Sequence, residues 1–348
     1  LGTQQPDLDD LTLFCRQMYT LTRAGVPLIR AVTGLSETSR NTVLADTLKE
    51  VRAELESGRE LSGAMGRFPD VFTPIMVSMV HVGENTGQLD EAFQRLAEHL
   101  EMEKDTRDRI KAAVRYPAFV IFAMAVAITV INIWVIPAFA NVFEGMGEEL
   151  PWQTRLLIGT SEFTVEYWPV LVGGFAALVF GLRYYVRTDE GRYQWDRLKL
   201  RLPLVGNLIQ RATLGRFSRS FAMTLRSGVP LIQALTVTAG AVGNTFVGER
   251  VLGMRNGIER GDSLTRTAAA SNLFTPLVLQ MMAVGEETGA VDDMLDEVGG
   301  FYEREVDYDL KNLSSAIEPI LIVGVGILVL ILALGVFLPM WDMTKMAQ

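Results

Sequence analysis

The chain repeats itself, and the repeat constrains what it can fold into more than any other feature. Phe14-Cys15-Arg16 through Arg23-Ala24-Gly25-Val26-Pro27-Leu28-Ile29 returns as Phe217-Ser218-Arg219 through Arg226-Ser227-Gly228-Val229-Pro230-Leu231-Ile232, an offset of 203 residues. Phe72-Thr73-Pro74 returns as Phe274-Thr275-Pro276, and Val82-Gly83-Glu84-Asn85-Thr86-Gly87 as Val284-Gly285-Glu286-Glu287-Thr288-Gly289, now at 202. One residue is therefore lost between these blocks. Pro117 and Pro137 bracket an apolar stretch, and Pro319 and Pro339 bracket another at the same offset. A repeat of this length specifies one supersecondary unit built twice.

Those stretches are two of three apolar segments in a chain that is 49% hydrophobic yet 21% charged, a mixture expected of soluble parts joined to membrane parts. Tyr116 to Phe143 and Pro319 to Trp341 carry no charge, and each exceeds the roughly 20 residues that cross a bilayer. Tyr167 to Leu182 is shorter, but Tyr167, Trp168, Tyr184 and Tyr185 supply an interfacial aromatic belt. Basic residues set the direction. Lys104, Arg107, Arg109, Lys111 and Arg115 precede the first segment, and Arg183, Arg187, Arg192, Arg197, Lys199 and Arg201 follow the second. Between the two lie Glu144, Glu148, Glu149, Glu162 and Glu166 against Arg155 alone. The spacing predicts an all-α integral membrane protein of the inner membrane, with two repeated cytoplasmic helical-bundle domains and three transmembrane helices. The expected divisions are a first domain over 1–115, a span over 116–140 and a periplasmic loop over 141–166. A second span over 167–187, a second domain over 188–317, a third span over 318–341 and a short periplasmic tail over 342–348 follow.

Within each repeat the periodicity is helical. Phe14, Met18 and Leu21 fall on one helix face, as do Leu89, Phe93, Leu96 and Leu100. Gly25 and Gly228 suit left-handed helix ends, and Pro27 and Pro230 suit the first turn of the helix that follows. Pro74 and Pro276 mark further helix starts, and Thr86 and Thr288 are placed to cap the helix after them.

Candidates for chemistry are few. Glu84 and Glu286 occupy equivalent turns, where they either bind a partner or divalent cation or, as the favoured reading, cap exposed backbone N–H groups. Arg16 and Arg219 correspond, with an ion pair to an acidic turn as the expectation. Cys15 rules out an internal disulfide and reads as core packing. His81 and His99 lack metal-ligand spacing. The acidic run Glu303 to Asp309 reads as a solvated helix face rather than a metal site. Gly324, Gly326 and Gly335 suit close packing of the last span. No phosphate-binding glycine loop and no nucleophile–base pair occurs, so the chain is expected to be neither an enzyme nor cofactor-bound. A net charge of −9 argues against nucleic acid. A small-molecule transporter is the alternative, weakened by the lack of ionised groups at span centres. Leu1 to Asp10 has no basic n-region and is not read as a signal peptide. As the sequence does not begin with Met, native N-terminal residues are taken to be missing.

The residues Arg16 to Leu28, the two Val-Gly-Glu-x-Thr-Gly copies, Arg115-Tyr116-Pro117 and Glu318-Pro319 together resemble the type II secretion F / type IV pilus PilC platform family, over about Leu11 to Trp341. Phe14 to Tyr19 and Asn132 to Pro137 look most like its branch from mannose-sensitive haemagglutinin pili (MshG). The resemblance implies a non-catalytic platform in type IV pilus biogenesis or type II protein secretion. Its partners would be a hexameric assembly ATPase, pilin or pseudopilin, other inner-membrane assembly proteins, the lipid bilayer and further copies of itself. It implies family-motif or partner-contact roles for Arg16, Gln17, Gly25, Pro27, Gly83, Glu84 and Gly87, and for Arg219, Gly228, Pro230, Gly285, Glu286 and Gly289. Pro117, Pro137, Pro319 and Pro339 form the membrane-span motif. Two departures between the copies, Gln17 against Ser220 and Tyr116 against Glu318, imply that the domains touch different partners.

Overall fold

The computed structural model describes residues 5–135, 152–203 and 205–346. Among these every regular element is helical. The first repeat comprises α1 (Leu8–Arg23), α2 (Leu28–Thr38), α3 (Thr42–Glu56), α4 (Leu61–Met65), α5 (Pro74–Thr86) and α6 (Leu89–Val130). A π-helical turn, Ile131–Val135, extends α6, and α7 (Trp152–Arg187) and α8 (Asp189–Lys199) lead to the second repeat. That repeat comprises α9 (Gly206–Arg226), α10 (Leu231–Ala241), α11 (Thr245–Glu259), α12 (Leu264–Ser271), α13 (Pro276–Thr288) and α14 (Val291–Met346). Each helix of the first set has its counterpart in the second, in the same order.

The helix ends follow from local chemistry. Gly25 and Gly228 take φ of 74° and 88° where α1 and α9 stop, a region that costs glycine nothing. Pro27 and Pro230 stand just before α2 and α10, as N-caps rather than inside the first turn. Thr73 and Thr275 accept from the N–H two residues beyond Pro74 and Pro276, the first residues of α5 and α13. Thr86 and Thr288 depart from expectation, because each is the last residue of its own helix. Gly87 and Gly289, in the left-handed conformation, absorb the chain reversal. That leaves the threonine hydroxyls to donate back to Val82 and Val284 at 2.8 and 2.7 Å.

Both cores are built from the predicted faces. Phe14, Met18, Phe93, Leu96 and Leu100 are buried in the first, with Cys15 fully enclosed. Phe217, Phe221, Phe274, Leu295 and Val298 fill the second. A side chain of this kind contributes roughly 2 kcal/mol on burial. Phe14 meets Phe72 and Phe93 at 5.7 and 5.9 Å, and Phe217 meets Phe274 at 5.7 Å, so one aromatic cluster is made twice.

The two repeats pack together in one compact unit. Described residues up to Arg109 and those from Tyr193 to Asp309 belong together, with α5 of the first repeat packed on α9 and α10 of the second. The second unit comprises Ile110–Arg192 and the residues from Leu310 onward. Among the described residues it contains two helical stretches long and apolar enough to cross a membrane, within Leu89–Val130 and Glu166–Arg187. Phe119, Phe122, Phe175 and Phe180 are each about 70% exposed there, a density of bare aromatics that water does not tolerate and lipid does. Pro117 lies inside α6 without ending it. It gives up one of the many hydrogen bonds of a 42-residue helix, which spanning helices accept. Helix α7 begins at Trp152, so much of the segment expected as a loop is helical; Phe163 and Tyr167, one turn apart, stack at 5.1 Å. Gly324 brings α14 close to Met124 of α6, where an added Cβ would sit 3.1 Å from the methionine methyl, whereas Gly326 faces open space. Pro319 lies within α14. Pro137 lies outside the described residues, as do the side chains of Glu318 and Pro339 and the surroundings of Gly335.

Candidate functional site

The Val-Gly-Glu-x-Thr-Gly block closes one corner of each repeat. Glu84 accepts from the backbone N–H groups of Leu61 and Ser62 at 2.5 and 3.0 Å. Glu286 does the same for Leu264 and Thr265 at 2.7 and 3.0 Å. A carboxylate thereby caps the open end of α4 or α12 from a distant helix. Burial pushes the Glu286 carboxyl up, but the N–H groups of Thr265 and Leu264 outweigh it and hold the pKa below the ordinary value. Gly83 and Gly285 are required by close approach. A Cβ on Gly83 would lie 2.8 Å from the Cβ of Ala92 and 3.1 Å from the Cα of Leu89. The block is a folding device, and most of its atoms are committed.

Glu60, His81 and Glu84 bring potential ligand atoms within 4.8 Å of one another, the cation arrangement weighed for Glu84. Both Glu84 oxygens already accept N–H groups. In the second repeat, Ser263 and Ala283 stand where Glu60 and His81 do. The cluster is not part of the repeated architecture.

Arg16 and Arg219 make intradomain ion pairs, but with the long closing helices instead of an acidic turn. Arg16 meets Glu101 of α6 at 2.5 Å. Arg219 is bidentate to Glu303 of α14 at 2.9 Å and also meets Asp296. Glu303 first, then Asp296, raise the Arg219 pKa against the opposing effect of burial. Both arginines find their carboxylates on the helix that closes their own repeat, while the turn glutamates are held by backbone N–H groups. The acidic run is likewise engaged: Glu305 and Asp309 pair with Arg211 at 2.9 and 2.7 Å, and Asp307 with Arg109 at 2.9 Å.

Sequence reasoning missed the seam between the repeats. Arg95 donates to Ser227 at 3.4 Å, His99 lies 3.5 Å from the Ser220 hydroxyl, and Arg216 lies 3.5 Å from Glu103. A signal was present: Ser220 replaces Gln17, and the partner that position touches is the other half of the chain. Gln17 itself is exposed. Burial lowers the His99 pKa from 6.5, Glu103 opposes this and Arg216 reinforces it. The fold thus holds the neutral ring. His99 contributes fully above pH 6.5, and that contribution is lost as pH falls below it. Thermal melts of the detergent-solubilised chain should show a larger fall between pH 7.5 and 5.5 for the wild type than for His99→Phe. The variant places in the seam the residue found at the equivalent position of the second repeat, Phe301.

The molecule so defined is a helical repeat protein anchored in a membrane, its motifs spent on architecture and its two halves joined at a polar seam. Its family follows from comparison with known proteins. The model of the family "Type II secretion system (T2SS), protein F" matches residues 14–137 and again 217–339, and the chain belongs to that family. Among relatives, "Type IV pilus assembly protein PilC" of Thermus thermophilus is 40% identical over 338 residues, covering 97% of this chain and 83% of that protein. The PilC of Pseudomonas aeruginosa is 32% identical, covering 96% and 90%. "Type II secretion system protein F" of the same organism is 32% identical, covering 97% and 83%. The transporter reading finds no support in these relatives.

Proposed function

We propose that the chain is the inner-membrane platform of a type IV pilus or type II secretion machine. In this reading it is a structural platform rather than an enzyme, coupling a hexameric cytoplasmic ATPase to insertion of pilin or pseudopilin subunits. The pilus branch is favoured by Phe14 to Tyr19 and Asn132 to Pro137, which resemble platforms of mannose-sensitive haemagglutinin pili. Three spans place both repeats in the cytoplasm and the acidic segment 141–166 outside, on the strength of the basic flanks.

One observation carries the coupling. Each repeat ends in a helix that continues without interruption toward the apolar segment, α6 over 42 residues and α14 over 56. A continuous helix transmits displacement along its axis, whereas a loop would dissipate it. The soluble unit, with its two copies fused at the seam, is then the part that a motor can move as one body. Partner capture tests the reading. Tagged full-length protein, solubilised from its native membranes, should recover an assembly ATPase and a pilin or pseudopilin. Recovery of neither, from membranes that contain both, would sink it.

A further inference from the structure

Helix α8 presents two unlike sides. Tyr193, Asp196, Arg197 and Leu200 recur at the spacing of one helical face, and that face holds α8 to the second repeat. The Tyr193 ring lies 5.6 Å from the ring of Phe246, the Arg197 guanidinium lies 5.8 Å from it, and Leu200 packs against the second core. The Asp196 carboxylate accepts from the backbone N–H of Thr245 at 2.8 Å, and its carbonyl accepts from the Asn244 amide at 3.2 Å. These contacts seat α8 against the start of α11.

The opposite side carries Trp195, Leu198 and, in the turn beyond the helix, Leu202, which are 38%, 50% and 40% exposed. Arg192 and Arg201 are exposed along the same strip. Lys199 pairs with Asp196 at 2.9 Å and keeps its ammonium 5.8 Å from the centre of the Trp195 ring. Apolar side chains with cations at their edges mark a helix that lies in a membrane interface, where tryptophan is enriched. The chain places the strip there. Only Thr188 separates α8 from α7, whose apolar stretch is long enough to cross a membrane. The Thr188 hydroxyl donates to the Tyr185 carbonyl at 2.7 Å and accepts from the Gly191 N–H at 3.1 Å. A Cβ on Gly191 would collide with that carbonyl, so the elbow is tight. At 1.5 Å per residue, Trp195 is about 9 Å along α8 from its first residue. Residues 183–201 hold six cations against three carboxylates, within a chain of net charge −9. That local sign complements an anionic lipid surface.

We infer that α8 lies on an anionic phospholipid surface beside the end of α7, with Trp195, Leu198 and Leu202 entering the interface and Arg192 and Arg201 meeting lipid phosphates. The charge bias that orients a span needs only cations on the correct side. It does not require an exposed tryptophan and two leucines on the side of α8 that the protein leaves bare. The inference rests on α7 crossing the membrane and is independent of the pilus reading.

Fluorescence quenching of the full-length protein in vesicles tests it. Leu198→Cys carries an environment-sensitive nitrobenzoxadiazole label, and Cys15 is enclosed and stays silent. The vesicles are phosphatidylglycerol with phosphatidylcholine, and contain lipid spin-labelled either at the headgroup or on the acyl chain. Phe175→Cys, in the apolar stretch of α7, reports the span, and Arg266→Cys, exposed on α12, reports water. The Leu198 label should be blue-shifted and quenched from the headgroup, the Phe175 label quenched from the acyl chain, and the Arg266 label unaffected. Arg192→Gln with Arg201→Gln should weaken the Leu198 contact, about fivefold for each charge removed. Vesicles of phosphatidylcholine alone should likewise lose the Leu198 quenching, and in both cases the Phe175 signal should stay unchanged. The inference is overturned if the Phe175 label is quenched while the Leu198 label behaves like the one at Arg266, which would leave the strip to a protein partner. Equal quenching at Leu198 in phosphatidylcholine alone, or in the double arginine variant, would remove the recognition of anionic lipid and also overturn it. So would an unquenched Phe175 label, which would take away the span from which α8 is placed.

Discussion

Leucine in place of Gly83 is expected to lower the stability of the compact repeat unit by about 3 kcal/mol. For a unit of this size that is roughly 10 °C in Tm. Gly83 lies inside α5, where glycine is ordinarily a poor residue and alanine gains about 1 kcal/mol. Here the sign reverses. The first carbon added meets the Cβ of Ala92 at 2.8 Å and backbone at 3.1 Å, neither of which can rotate away. Even Gly83→Ala should therefore be destabilising. Gly285→Ala should also be destabilising but milder, because the nearest atom, the Cγ of Met294 at 2.9 Å, can rotate away, while the Met294 Cβ at 3.0 Å and the Val291 Cα at 3.2 Å stay fixed. Thermal melts of the solubilised full chain provide the ranking. A Gly83→Ala protein as stable as wild type would refute the close approach of α5 to α6. Loss of filaments in such variants would report folding and would not identify a partner contact.

The second large effect concerns transmission. Seven glycines inserted between Arg109 and Ile110, where the compact repeat unit ends, should leave protein level near wild type and, on the proposed coupling, abolish filament assembly. Each glycine costs a helix about 1 kcal/mol relative to alanine, so the insert breaks α6 into two independently moving pieces. Seven alanines add the same length as helix, about 10 Å, and nearly restore the facing direction. They should retain measurable assembly. Equal filament counts for the two insertions, at equal protein level, would show that α6 does not act as a continuous element in coupling.

The repeat, the helical class and two of the apolar spans were legible because their signals are short-range. Phe14, Met18 and Leu21 announce a buried face by spacing alone. Gly25-Val26-Pro27 announces a helix boundary by the conformations its residues can adopt. Glu84 was readable as a cap, but not the helix it caps, since Leu61 is 23 residues away. Thr86 was misassigned because a threonine beside a glycine satisfies two helix-end patterns equally, and only the left-handed Gly87 distinguishes them.

What the sequence determined by itself is the twofold helical unit with its membrane segments, because periodicity, hydropathy and capping act within a few turns of chain. The tertiary structure alone decided that the halves are one body. It also decided that Arg16 and Arg219 serve the closing helices, and that Ser220 departs from Gln17 because it meets His99 across 121 residues. Such choices depend on which of several amphipathic faces finds a complementary one. Faces that are equivalent by repetition look alike until the chain has brought one pair of them together.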